Sequence, residues 1–162
     1  VVGCETAHWL ANEYGKNVTV LEMLPHFMMG VCTANRGHLL HYLEKSGVRL
    51  YNCTKVKALA KDGVYVEQNQ SQTVPDPYNT WQPLLPPNIP NPMEKAIKEE
   101  IVEKKIPADL IVLAMGGKAD ETFFFEAGEE HLAKEIYNIG DSSRAGRVLE
   151  AVRGAYHLAV RI

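Results

Sequence analysis

Three stretches of the chain carry residue types and spacings that could hold a ligand. Gly3 opens a helical pattern, and Glu22 closes a β-branched run further on. A pyrophosphate lodges well at a helix N-terminus where a glycine lets the backbone approach closely. An acid about 20 residues later, at the end of the following strand, can accept from a ribose hydroxyl. Gly3 and Glu22 have the spacing of the third glycine of that fingerprint and its acid, which leaves the other two glycines upstream of Val1. Glu5, in the first helical turn, suits the positive end of the helix whatever else it does. In the second stretch, Leu113-Ala114-Met115-Gly116-Gly117, a strand pattern ends in glycines that would admit a cofactor. The third is Gly140-Asp141, closing Ile136-Tyr137-Asn138-Ile139. A Gly-Asp turn after a strand is also common with no ligand at all.

Other candidates are weaker. His38 and His41 stand three apart on a helix with no third metal ligand in view, so a polar face is the better reading. Trp9 reads as core rather than as a cofactor platform. Cys4, Cys32 and Cys53 form no CxxC pair, so neither zinc nor an iron–sulfur cluster is suggested within the chain. Three unpaired thiols fit a reducing compartment, and a cytoplasmic location is expected.

The elements that must position these residues follow from periodicity. Residues 4–14 place Ala7, Leu10, Ala11 and Tyr14 at helical spacing, and Gly15 follows as a C-terminal glycine. Residues 18–22 read as a buried parallel strand, 36–45 as an amphipathic helix and 48–51 as a strand. Short strands over 54–59 and 64–66 flank an Asp62-Gly63 turn. Seven of the nine prolines then fall between Pro75 and Pro92. Residues 71–93 therefore form neither a helix nor a central strand. They read as an ordered surface excursion pinned by Tyr78, Trp81, Leu84 and Leu85. Residues 94–106 read as a helical turn leading into a strand, with Glu99-Glu100 and Lys104-Lys105 as solvated surface. A buried strand is expected over 110–114, a short helix over 121–127, a strand over 136–139 and a long amphipathic helix over 148–160. Leu10, Val20, Leu43, Ile111, Leu113 and Ile139 are the expected buried positions.

The pattern is α/β, a Rossmann-like three-layer dinucleotide-binding fold with an antiparallel β insertion. Such a unit normally begins with a strand, so a helix at the very start suggests that the first strand is missing. Composition agrees with a globular domain: 46% hydrophobic and 23% charged residues. A net charge of −3 argues against a general nucleic-acid binder. No apolar run approaches the roughly 20 residues of a membrane span.

Four motifs in order carry a resemblance: Gly-Cys-Glu-Thr-Ala, Val-Thr-Val-Leu-Glu-Met, Ala-Asp-Leu-Ile-Val-Leu-Ala-Met-Gly and Ile-Tyr-Asn-Ile-Gly-Asp. Together they resemble the pyridine nucleotide-disulphide oxidoreductase superfamily. More narrowly, they resemble the C-terminal region of NADH:flavin oxidoreductases fused to an old-yellow-enzyme barrel, the 2-enoate reductase and 2,4-dienoyl-CoA reductase group. The proline-rich segment is foreign to most of the superfamily.

The resemblance implies that residues 1–112 are an NAD(P)-binding domain lacking its first strand, and 113–162 a return into an FAD-binding domain. It places Gly3, Glu5, Glu22, Met115, Gly116, Gly140 and Asp141 near dinucleotides, with Glu5 toward the nicotinamide side and Asp141 on the flavin ribityl chain. Glu22 favours NADH, since a carboxylate accepts from a free 2′-hydroxyl and repels a 2′-phosphate. In the intact protein, hydride would pass from NADH to FAD, and electrons onward to FMN in a barrel that reduces activated alkenes. That barrel, its FMN and its iron–sulfur cluster would lie outside this chain. The piece alone is then expected to be inactive, to hold no cofactor tightly and to self-associate. The alternatives are a nucleotide-binding module without catalysis, as in trimethylamine dehydrogenase, and a disulphide-reductase-type flavoprotein.

Overall fold

The computed structural model describes residues 1–162 except 82, 84 and 87. The chain divides into two compact units, Val1–Ala114 and Met115–Ile162.

In the first unit, α1 (Val2–Tyr14) ends at Gly15, whose left-handed backbone returns hydrogen bonds to the carbonyls of Ala11 and Leu10. Strand β1 (Thr19–Leu21), helix α2 (Thr33–Lys45) and strand β2 (Arg49–Tyr51) follow. The two strands run parallel, with Val20 opposite Leu50. Cys4 and Ala7 of α1, Leu40 and Leu43 of α2, and Val48 and Leu50 around β2 close a core with Phe27 and Met28 from the loop between β1 and α2. Leu40 and Leu43 are fully buried, each worth about 1.5–3 kcal/mol of transfer free energy.

An antiparallel meander comes next: β3 (Thr54–Ala60), β4 (Gly63–Asn69) and β5 (Ile101–Pro107), in the order β3-β4-β5. The Asp62-Gly63 turn stands as read, and β4 is longer than the 64–66 expected. Residues 94–100 make no helical turn. Lys104 and Lys105 are less free than a solvated surface implies. Lys104 lies 4.5 Å from the ring centre of Tyr51, and Lys105 pairs with Asp62 at 2.5 Å.

The excursion between β4 and β5 is tied down at its neck. Asn69 donates from Nδ2 to the Lys98 carbonyl and accepts at Oδ1 from the Ser71 and Glu100 amides, and Thr73 accepts from the Lys98 amide. Of the expected pins, Tyr78 holds: its hydroxyl donates to the Val48 carbonyl at 2.6 Å and accepts from the Leu50 amide at 3.2 Å. Trp81 and Leu85 are exposed instead. Leu84 lies outside the described residues.

The second unit holds α3 (Thr122–Glu129), a 3-10 turn (Gly140–Ser142) and α4 (Val148–Ala159). Glu150 closes the start of α4 by accepting from the Arg147 amide and guanidinium. Ala127 is the one buried apolar residue here among those described.

Two expected strands are absent for one physical reason. Residues 110–114 and 136–139 are not strands. Leu113 is 66% exposed and Ile139 42%, and the apolar face of α4 is open at Val148 and Val152. A strand exists only as part of a hydrogen-bonded ladder, and among the described residues neither segment has a neighbour to form one. Leu10, Val20 and Ile111 are half-buried rather than buried. Trp9, expected in the core, is 51% exposed and stacks edge-on against Tyr14.

A parallel pair flanked by helices, with an antiparallel meander, makes this a mixed α/β domain of the Rossmann-like dinucleotide-binding kind. Among the described residues there is no closed barrel, and no helix is long and apolar enough to cross a membrane.

Candidate functional site

The first group of candidate residues converges at the start of α1. Helix hydrogen bonding begins at once, with the Cys4 and Glu5 amides donating to the Val1 carbonyl at 2.9 and 3.0 Å. Gly3 sits in this first turn against Ala114. A Cβ built on Gly3 would lie 3.0 Å from the Ala114 Cβ, closer than side chains normally come. Glycine lets α1 pack this closely on Ala114. Glu5 is exposed in the same turn, its charge favouring the helix N-terminus.

Glu22 stands immediately after β1. Its amide donates to the Tyr51 carbonyl and its carbonyl accepts from the Thr54 amide, so backbone bonds on both sides fix its position. Its Oε1 accepts from the Leu24 amide at 2.9 Å. A carboxylate offers about four lone-pair sites, so capacity remains for a ribose hydroxyl. The electrostatics bring Glu22 and α1 together. The Cys4 thiol is pushed up from its ordinary value, first by burial and then by the carboxylates of Glu22 and Glu5. One carboxylate just after β1 and one from α1 thus act on the same buried thiol in the first helical turn.

The loop after Glu22 has two features that the sequence did not signal. Arg36, only 3% exposed, donates from Nε to the Phe27 carbonyl and from Nη1 to the Asn79 and Thr80 carbonyls. Asn52, 4% exposed, donates from Nδ2 to the carbonyls of Pro25 and Pro75. Beside Arg36, the His26 imidazole is pushed down, first by burial and then by the guanidinium charge, against the pull of Glu94. No sequence pattern announces a side chain whose partners are main-chain carbonyls far along the chain.

The remaining candidates lie in the second unit. Met115 is exposed, and Gly116 has a positive φ of 84°. Gly140 takes φ 67°, a left-handed conformation that a side chain would strain, with Ala151 Cβ 3.8 Å from where a Cβ would stand. Asp141 is exposed and accepts from the Gly146 amide at 3.2 Å, tying the turn to the start of α4. The candidates therefore form two groups, Gly3, Glu5 and Glu22 in one unit and Met115, Gly116, Gly140 and Asp141 in the other.

The thiols Cys4, Cys32 and Cys53 are all free. His38 and His41 both approach the edge of Tyr42, at 4.6 and 5.7 Å between ring centres.

These residues fit a dinucleotide. A helix N-terminus packed through glycine presents amides to a pyrophosphate, and an anchored carboxylate stands at the end of the adjoining strand.

Comparison with solved structures finds a similar fold in 2-naphthoyl-CoA reductase in complex with 2-naphthoyl-CoA. The TM-score is 0.70 at 24% identity, over 99% of this chain and 20% of that one. The chain thus spans about a fifth of the length of that protein. No curated protein matches it. The family model described as pyridine nucleotide-disulphide oxidoreductase matches residues 1–149. The chain belongs to the pyridine nucleotide-disulphide oxidoreductase family.

Proposed function

We propose that this chain is the NADH-binding part of a flavin-dependent reductase, together with a segment of its FAD-binding domain. The observation that carries the reading is the arrangement at the start of α1, with Gly3 seated on Ala114 and Glu22 fixed at the end of β1. Residues 1–112 then serve the nicotinamide dinucleotide and 113–162 the flavin. The division into compact units at Ala114 supports that assignment. Family membership supports FAD and NAD(P) as the cofactors.

The chain's own residues would bind and select. The first turn of α1 receives the pyrophosphate, Gly3 lets that turn pack closely on Ala114, and Glu22 accepts from the 2′-hydroxyl while repelling a 2′-phosphate. Glu5 lies toward the nicotinamide side. Met115 and Gly116 line the approach to the flavin, and Gly140 holds Asp141 in place for the ribityl hydroxyls. FAD held by these residues would supply hydride acceptance from NADH and onward transfer of single electrons. In the longer protein those electrons would go to an FMN in an old-yellow-enzyme barrel, with an iron–sulfur cluster between them, to reduce an activated alkene. The likeness of fold to part of 2-naphthoyl-CoA reductase, a protein about five times this chain's length, supports a reductase as the longer protein.

Purification of the full-length protein tests the proposal. It should be yellow, should oxidise NADH, and should reduce an α,β-unsaturated carboxylate or thioester under anaerobic conditions. A colourless protein that binds ADP without oxidising NADH would overturn it in favour of a non-catalytic nucleotide module.

A further inference from the structure

The loop that follows Glu22 is in a conformation it would not hold unaided. Met28 lies at φ 54° and Cys53, on the segment paired with that loop, at φ 46°, both non-glycine residues in the left-handed region. Such positions persist only where their surroundings over-determine them. Here the surroundings include the proline-rich excursion. Asn52 and Arg36 are both nearly completely buried, and each divides its donors between the same two segments. Asn52 joins Pro25 to Pro75, at 2.6 and 2.9 Å. Arg36 joins Phe27 to Asn79 and Thr80, at 3.0, 3.0 and 3.4 Å in that order. Tyr78, between those anchors, is bound to Val48 and Leu50 on either side of Arg49. The neck at Asn69, Thr73 and Lys98 closes the excursion behind them. The prolines at 75 and 77 limit backbone freedom before docking, which lowers the entropy lost in holding the strap.

We infer that residues 75–80 of the excursion form a strap that fixes the loop after Glu22, with Asn52 and Arg36 as positioning residues that set nucleotide affinity through it. This rests on the reading of Glu22 as the ribose acceptor. The loop leaves β1 with the carboxylate already bonded to its Leu24 amide, and Asn52 grips the next residue, Pro25. Loosening that grip frees the Leu24 amide to move and takes the carboxylate with it. A displacement of about 1 Å at a binding group is enough to change affinity severely.

The test uses the full-length protein with Asn52→Ala and the milder Tyr78→Phe, which keeps the ring, alongside Glu22→Ala. Two readouts are taken: amide hydrogen exchange over residues 23–31, and KM and kcat for NADH. For Asn52→Ala the expected result is faster exchange in 23–31 and 75–80 together, with β3 and β4 unchanged. KM for NADH should rise about tenfold at a kcat within twofold of wild type. Tyr78→Phe should move both readouts in the same direction by less, and it decides the matter should Asn52→Ala fail to fold. Unchanged exchange in 23–31 would overturn the strap. If Glu22→Ala raises KM but the strap variants do not, the inference fails while the ribose reading stands. If Glu22→Ala leaves KM unmoved as well, the ribose reading falls and the inference with it.

Discussion

Gly3 and Ala114 approach so closely that a methyl group on the glycine would stand 3.0 Å from the methyl of the alanine. The alanine Cβ cannot rotate away, so any side chain at position 3 must move backbone. Gly3→Ala should therefore destabilise the fold, and Gly3→Val should do so by about 1–3 kcal/mol, the range of overpacking in a tight contact. Denaturant midpoints of the two variants check this. A Gly3→Val protein as stable as wild type would show that the contact is slack.

Glu22 should decide between the two nicotinamide dinucleotides. With a fixed carboxylate at the end of β1, NADH should be the better donor, and Glu22→Ala should lower the NADH-over-NADPH ratio of kcat/KM by about tenfold or more. Equal use of the two by the wild-type protein would remove Glu22 from the ribose.

His26 should make the fold sensitive to acid. Burial and the neighbouring Arg36 lower its folded pKa below the ordinary histidine value. A lowered value means that the fold favours the neutral ring. The stabilisation is present above the unfolded pKa of about 6.5 and is lost as pH falls through the folded value. Thermal midpoints at about pH 7.5 and about pH 5 should diverge less in His26→Gln than in wild type. An identical pH dependence in both would assign the acid sensitivity elsewhere.

The 162-residue chain by itself should bind NADH weakly, with a dissociation constant above about 100 µM, and should carry no flavin colour. Leu110, Leu113 and Val148 are 75%, 66% and 80% exposed. Apolar area of that kind, next to segments that lack ladder partners, promotes association. Calorimetry giving micromolar or tighter NADH binding would overturn the expectation of weak binding. A strictly monomeric protein by light scattering would dismiss the self-association.

The sequence by itself determined every element whose partner lies close along the chain. Helix α1 could be read because Ala7, Ala11 and Gly15 fix a face and an end, and α2 because Leu40 and Leu43 mark the side that turns inward. The β1–β2 pair could be read because two short apolar strands joined by a helix have little choice but to run parallel. Gly3 and Glu22 could be singled out because their spacing measures that same unit. Tertiary structure decided the rest. Leu110-Ile111-Val112-Leu113-Ala114 and the apolar face of α4 announce a demand for burial, but periodicity cannot say whether anything is present to meet it; here Leu110, Val112, Leu113, Val148 and Val152 stay exposed. Arg36 and Asn52 look in the sequence like ordinary polar residues on a helix and after a strand. Their burial depends on carbonyls at Pro75, Asn79 and Thr80, which reach them only once the proline-rich excursion has folded back. A main-chain carbonyl carries no residue signature, so hydrogen bonds of that kind can be found only by folding the chain.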